Sequence, residues 1–143
     1  MENNKINHYY GDSVRTIFII TGVIMIATLP FFSKLIALPI GFAITGILIL
    51  AILSGLLNPV KKWIIIIDAI VATVAFLSFE YSAVFAYMHL PPTETVNVLF
   101  FWTNQIFSLL LFLAVYLSTK TLRGMYIDEA EANKKIEVPS LIK

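Results

Sequence analysis

Apolar residues run along this chain in four long blocks with almost no charged interruption. The blocks cover about residues 14–32, 38–57, 63–88 and 95–119. Each holds the roughly 20 residues that cross about 30 Å of hydrocarbon at 1.5 Å per residue. None alternates in and out as a barrel strand does, and four strands could not close a barrel. The pattern predicts an all-α fold, an integral membrane four-helix antiparallel bundle. The connections are short, about five, five and six residues, so consecutive helices should be antiparallel neighbours. Residues 1–13 and 120–143 are left as tails.

Local punctuation supports these limits. Asp12 and Ser13 stand where an N-cap should precede the first helix. Pro30 should end or bend it, and Pro39 falls near the first turn of the second, where a missing N–H costs little. Asn58-Pro59 should close the second helix, Pro91-Pro92 should separate the third from the fourth, and Thr93 or Thr95 can cap the fourth. Tyr9, Tyr10, Trp63, Tyr87 and Tyr126 lie near the expected interfaces. In the C-terminal tail, residues 120–137 are fair helix formers, with Gly124 a weak point and Pro139 a stop, so a solvated, partly helical extension is expected.

Composition strengthens the membrane reading. Of 143 residues, 59% are hydrophobic and 13% charged, and the mean hydropathy is +0.87. A soluble chain this short could not hide so much apolar surface. A soluble enzyme, a disordered chain and a nucleic-acid-binding module are excluded, and the net charge of +1 gives no sign of a polyanionic partner. The absence of cysteine excludes disulfides, thiolate catalysis and Cys-based metal sites.

The distribution of charge gives an orientation. Lys5, Arg15, Lys61, Lys62, Lys120 and Arg123 fall on one side, with Lys134 and Lys135 further off, and only Lys34 falls on the other. The positive-inside rule then puts both termini in the cytoplasm, in a plasma (inner) membrane. The first block is longer than a signal-peptide core and lacks a small-x-small cleavage site after it, so it reads as an uncleaved span. No internal repeat suggests a transporter's inverted halves.

Only Asp68 and Glu80 put acidic groups inside the blocks, both in the third. Charge in hydrocarbon costs at least about 2.5–3.5 kcal/mol, so such residues are functional candidates. On a helical wheel they share an arc with Ala69, Ala72, Thr73, Ala75, Phe76, Phe79, Ala83, Ala86 and Tyr87. That arc should face protein, and the arc holding Ile70, Val74, Leu77, Tyr81 and Met88 should face lipid. The two acids are about 18 Å apart along the axis and cannot form a dyad within one chain. Counting outward from Pro91-Pro92 pairs Glu80 with Gln105 or Asn104, and Asp68 with Tyr116. Phe101, Gln105, Ser108, Phe112, Tyr116 and Thr119 form one stripe on the fourth helix. Glu80, Asp68, Asn104, Gln105 and Tyr116 are therefore candidates for a proton- or cation-binding site or, more plainly, for interhelical glue.

Gly22, Gly41, Thr45, Gly46, Ala51 and Gly55 are candidates for close helix packing, and packing within the chain is the expected use, ahead of a dimer face. His8 and His89 fall at opposite ends and cannot share a metal. Motifs for serine hydrolases, zinc peptidases, P-loops and dinucleotide folds are absent, and no cofactor is implied. The expectation is a small non-catalytic membrane protein acting by association with another membrane protein or as a homo-oligomer. The alternative is an oligomeric proton- or cation-linked transporter or channel using Glu80 and Asp68.

Overall fold

The computed structural model describes residues 9–36, 39–55 and 61–137. It is all-α, with four helices: α1 (Gly11–Phe32), α2 (Ile40–Gly55), α3 (Lys62–His89) and α4 (Thr95–Glu137). Three of them, α1, α3 and α4, are long and apolar enough to cross a membrane; α2 is apolar but shorter, at 16 residues. Lys5, His8, Asn58-Pro59 and Pro139, named above for charge, metal binding or punctuation, lie outside the described residues.

Helices this long and apolar suit a membrane, because hydrocarbon would offer the backbone no hydrogen-bond partner. That requirement overrides the β-branched content of α2 and α3, which would weaken a helix in water. Hydroxyl groups follow the same logic. Thr28, Thr45, Thr73, Ser78, Ser82, Thr103 and Thr119 each donate to the carbonyl four residues earlier, at 2.7–2.9 Å. Their polarity is absorbed by their own helices, so they need no polar surroundings.

The helix ends depart from the expected caps. Tyr10, not Asp12 or Ser13, is the N-cap of α1, and it makes no side-chain cap bond. Asp12 lies inside the first turn, where its charge still favours the helix dipole. Pro30 is tolerated two residues before the end, and the chain then turns through Leu35 N–H donating to Phe32 O. Glu94, rather than Thr93 or Thr95, carries the carbonyl that receives the first N–H groups of α4, from Asn97 and Val98. Asn97 also donates through Nδ2 to Pro91 O at 3.0 Å, which ties the α3–α4 turn to its helix.

Packing is uneven. The extensive contacts join α3 to α4, α1 to α2 and α1 to α4, giving the spatial order α2–α1–α4–α3. One core cluster contains Val14, Ile17, Phe18, Leu50, Leu53, Ala72, Leu111 and Ala114. A second, at the far end, contains Phe32, Ala86 and Phe100, with the Phe32 and Phe100 rings edge-on at 5.3 Å. The fully buried Ala72, Ala83 and Ala114 let backbones approach, and tilted pairs Phe76–Phe112 and Phe79–Phe107 fill the α3–α4 seam. The expected closed bundle is corrected in one respect: the consecutive helices α2 and α3 share no extensive interface. The reason is visible in α2. It is apolar all round, with Phe42, Ile44, Leu48, Ile49 and Ile52 exposed, so no face is driven inward.

The C-terminal extension also differs from a separate tail. It continues α4 without a break through Gly124 to Glu137, for 43 residues in all. At 1.5 Å per residue this is about 64 Å, twice the hydrocarbon thickness. Burial of Thr121 and Met125 and an ion pair between Lys62 and Glu129 fasten the first part of the extension to the other helices. Spin labels at Thr119→Cys and Asn133→Cys, both exposed sites, should report one narrow distance near about 21 Å. A broad distribution would place a hinge at Gly124.

Candidate functional site

Polar side chains inside the fold gather at two depths, both set by the register of α3 against α4. Glu80 lies half-buried at the first. Its Oε2 accepts hydrogen bonds from Ser108 Oγ at 2.7 Å and Gln105 Nε2 at 3.2 Å. Ser108 and Gln105 are three residues apart and so share one face of α4, which lets both reach one oxygen. The pairing of Glu80 with Gln105 is as counted from the prolines. Ser108 was placed on the same stripe but not named as a partner, though its i+3 relation to Gln105 was signal enough. Asn104 is elsewhere: it is buried and donates through Nδ2 to Phe100 O of its own helix at 2.7 Å.

The second depth is near the start of α3. Asp68 is 3% exposed, and its Oδ1 has no hydrogen-bond partner among the described residues. Its expected partner Tyr116 is 55% exposed and turned away, towards the Lys120 ammonium. The error has a geometric cause. Counting from the prolines assumed a symmetric turn. The observed pairs Phe76–Phe112, Phe79–Phe107 and Lys62–Tyr126 shift α4 by two to four positions. Two positions rotate a helix by about 200°, which replaces Tyr116 with Ser118 on the inner face. Ser118 is 1% exposed, and its Oγ is also without a partner among the described residues.

The stripe expected on α4 is corrected in the same way. Phe101, Gln105, Ser108 and Phe112 do meet α3, but Phe112, Tyr116 and Thr119 are exposed. The buried seam is instead Asn97, Phe100, Asn104, Phe107, Leu111, Ala114, Ser118, Thr121 and Met125, which faces α1 as well as α3. A helix packed between two neighbours buries the line between them, not the line facing either one.

Residues to which sequence reasoning gave no part in a site complete the second group. Arg15 donates through Nε to Ser54 O of α2 at 2.6 Å, and it is the charge that bears on Asp68. Tyr10 N–H donates to Thr121 Oγ1 at 3.1 Å, which brings the segment before α1 to the Ser118–Thr121 turn. Tyr9 folds its ring over Gly11, where any Cβ would collide with it, and its hydroxyl is buried without a partner. Burial, then the Asp12 carboxylate, raise the Tyr9 phenol above its ordinary value; Arg15 opposes them and Asp68 adds a little. Outside this core, Lys120 lies over the Tyr10 ring at 4.8 Å and Lys62 over the Tyr126 ring at 4.9 Å. Arg15, Lys62 and Lys120 therefore share one end of the fold, and Lys34, in the α1–α2 connection, belongs to the other.

Small residues are placed differently from expectation. A Cβ added to Gly22, Gly41, Gly46 or Gly55 would meet nothing within 4 Å, so none of the four marks a close helix approach within the chain. Thr45 and Ala51 are exposed beside them. Between α2 and α3 opens a cleft of about 400 Å³, floored by α1 and α4 and lined mainly by apolar groups, among them Phe42, Gly46, Ile70, Val74 and Phe107. Comparison with protein-family models, curated proteins and solved structures finds no match to this chain.

The Glu80 joint is a cross-helix clamp. Ser108→Ala removes its shorter bond and should lower the unfolding free energy in bicelles by about 0.6–2 kcal/mol, while Thr103→Ala, whose hydroxyl bonds only its own helix, should change it by less. Equal effects of the two would deny the clamp its role.

Proposed function

We propose that this chain is a four-span integral membrane protein, α2 being the fourth span, that acts by association with another transmembrane helix and not by catalysis. The observation that carries this reading is the open α2–α3 side. A cleft of about 400 Å³ there faces outward, and α2 touches α1 but not α3 extensively. The volume suits the side chains of an approaching helix, not the helix itself, whose diameter is about 10–12 Å. Glycines in membrane helices are useful where another backbone comes near. Those of α2 have open space before them, which fits a partner outside this chain.

Orientation follows from charge. The end that gathers Arg15, Lys62 and Lys120 is the cytoplasmic one, which puts both termini and the extension of α4 in the cytoplasm of a cell with a plasma (inner) membrane. The partner is a second copy of this chain or another membrane protein. Transport through Glu80 has weaker support, because Ser108 and Gln105 hold one of its carboxylate oxygens in a joint between α3 and α4.

A photoreactive residue introduced at Gly46 or Ser78, which line the cleft, should form protein–protein adducts in native membranes. The same residue at Leu109, an exposed position on α4, should yield several-fold fewer. Adducts to lipid alone at all three positions would overturn the association reading. Proton or cation flux in liposomes that disappears in Glu80→Gln would replace it with transport.

A further inference from the structure

Glu80 is the acid that the fold places furthest from both of its ends. Phe32 meets Phe100 at one end, and Tyr10 meets Thr121 at the other. Ser108, which donates to Glu80, therefore lies about 12 Å inside the first level and about 20 Å from the second. At that depth no helix carries a lysine or arginine. α1 has none after Arg15, α2 has none, α3 has none after Lys62, and α4 has none before Lys120.

The chain satisfies only half of this carboxyl group. Both hydrogen bonds, from Ser108 and Gln105, end on Oε2. Oε1 accepts none among the described residues, and it is not one of the enclosed oxygens, so it reaches the surface of the α3–α4 hairpin. Two donors on one oxygen favour the ionised form. An ionised group at this depth in a membrane is ordinarily paired. Protonation would not complete the group either, since a hydroxyl at Oε1 would lack an acceptor among the described residues.

The surface around Oε1 is also uncovered. Thr73, Glu80 and Tyr87 recur every seven residues and so line one stripe of α3, and Thr73 and Tyr87 are exposed. The tilted ring pairs Tyr87–Phe101 and Phe76–Phe112 border that stripe on the α4 side. Ser78, on the cleft wall, is two residues from Glu80, a rotation of about 200°, so the stripe looks away from the cleft.

We propose that this flank of α3 docks a transmembrane helix of a different protein, whose own arginine or lysine pairs with Glu80 Oε1. Charge complementarity selects the partner: a second copy of this chain brings another acid to that depth and no cation. The incoming side chain donates to the oxygen that Ser108 and Gln105 leave free, while these two hold the carboxylate in place. The inference rests on the membrane-spanning reading but not on the cleft, which lies on the other side of α3.

The test uses the purified full chain in liposomes with synthetic leucine-rich transmembrane peptides. Each peptide carries one arginine, lysine, glutamine or glutamate about 12 Å from one end of its span, and binding is read by energy transfer from a label on the chain. The arginine and lysine peptides should bind about 3–30-fold more tightly than the glutamine peptide. Glu80→Gln should remove that preference, and Thr103→Ala should keep it. Should Glu80→Gln fail to fold, a photoreactive residue at Thr73 in the parent chain decides: more adducts to the arginine peptide there than from Ser78 support the proposal, and the reverse contradicts it. Equal binding of all four peptides, or a preference that survives Glu80→Gln, overturns it. Tightest binding by the glutamate peptide also overturns it, because Glu80 then shares a proton with a second acid and a second copy is the fitting neighbour. No natural partner of the cleft is present in these liposomes, so the result is separate from that of the adducts at Gly46.

Discussion

Hydrocarbon offers no water to satisfy a polar group, and for a chain with three helices long and apolar enough to cross a membrane that condition accounts for the interior. The backbone closes on itself as helix. Serine and threonine hydroxyls fold back onto their own helices. Glu80 takes two donors from α4, and the turn before α4 is tied by Asn97. Asp68 stands out because it obeys the first half of the rule, being withdrawn from lipid, but not the second.

The same condition explains the uneven packing. Burying leucine against leucine gains little in lipid, so cohesion between helices depends on close contact and on the few polar bonds that cross a seam. The α3–α4 seam has both, through Ala72, Ala83 and Ala114, the phenylalanine pairs and the Glu80 clamp. α2 has neither towards α3. Its apolar surface would be at home in lipid on every side, so no face draws it onto α3, and the cleft there stays open.

How much of this was readable in the sequence depended on the kind of signal. The four apolar blocks announced the helices, and the inner arc of α3 is as its wheel predicted at Asp68, Ala72, Ala83 and Ala86, because a small acidic arc opposite a bulky one has one sensible orientation. Thr73 and Tyr87, at the margin and end of that arc, are exposed. The face of α4 was misread, since a helix with two neighbours buries the line between them. The Asp68–Tyr116 pairing failed on a register shift of about one turn, which a count from a proline pair does not resolve. The contacts of Arg15, Ser118 and Tyr9 escaped notice because they depend on which helices meet, and no pattern along one helix records that. The openness at α2 was likewise invisible, as a uniformly apolar helix carries no information about its neighbours.

The orientation of α3 carries the whole account, and the oxygen accessibility of nitroxides stepped along that helix tests it most directly. The chain has no native cysteine, so each site can be labelled alone. Accessibility should oscillate with a period of about 3.6 residues. Minima should fall at Ala72, Ala83 and Ala86, and maxima at Ile70, Val74, Leu77 and Tyr81. A flat profile, or one with Ala72 and Ala83 as accessible as Val74 and Tyr81, would contradict it.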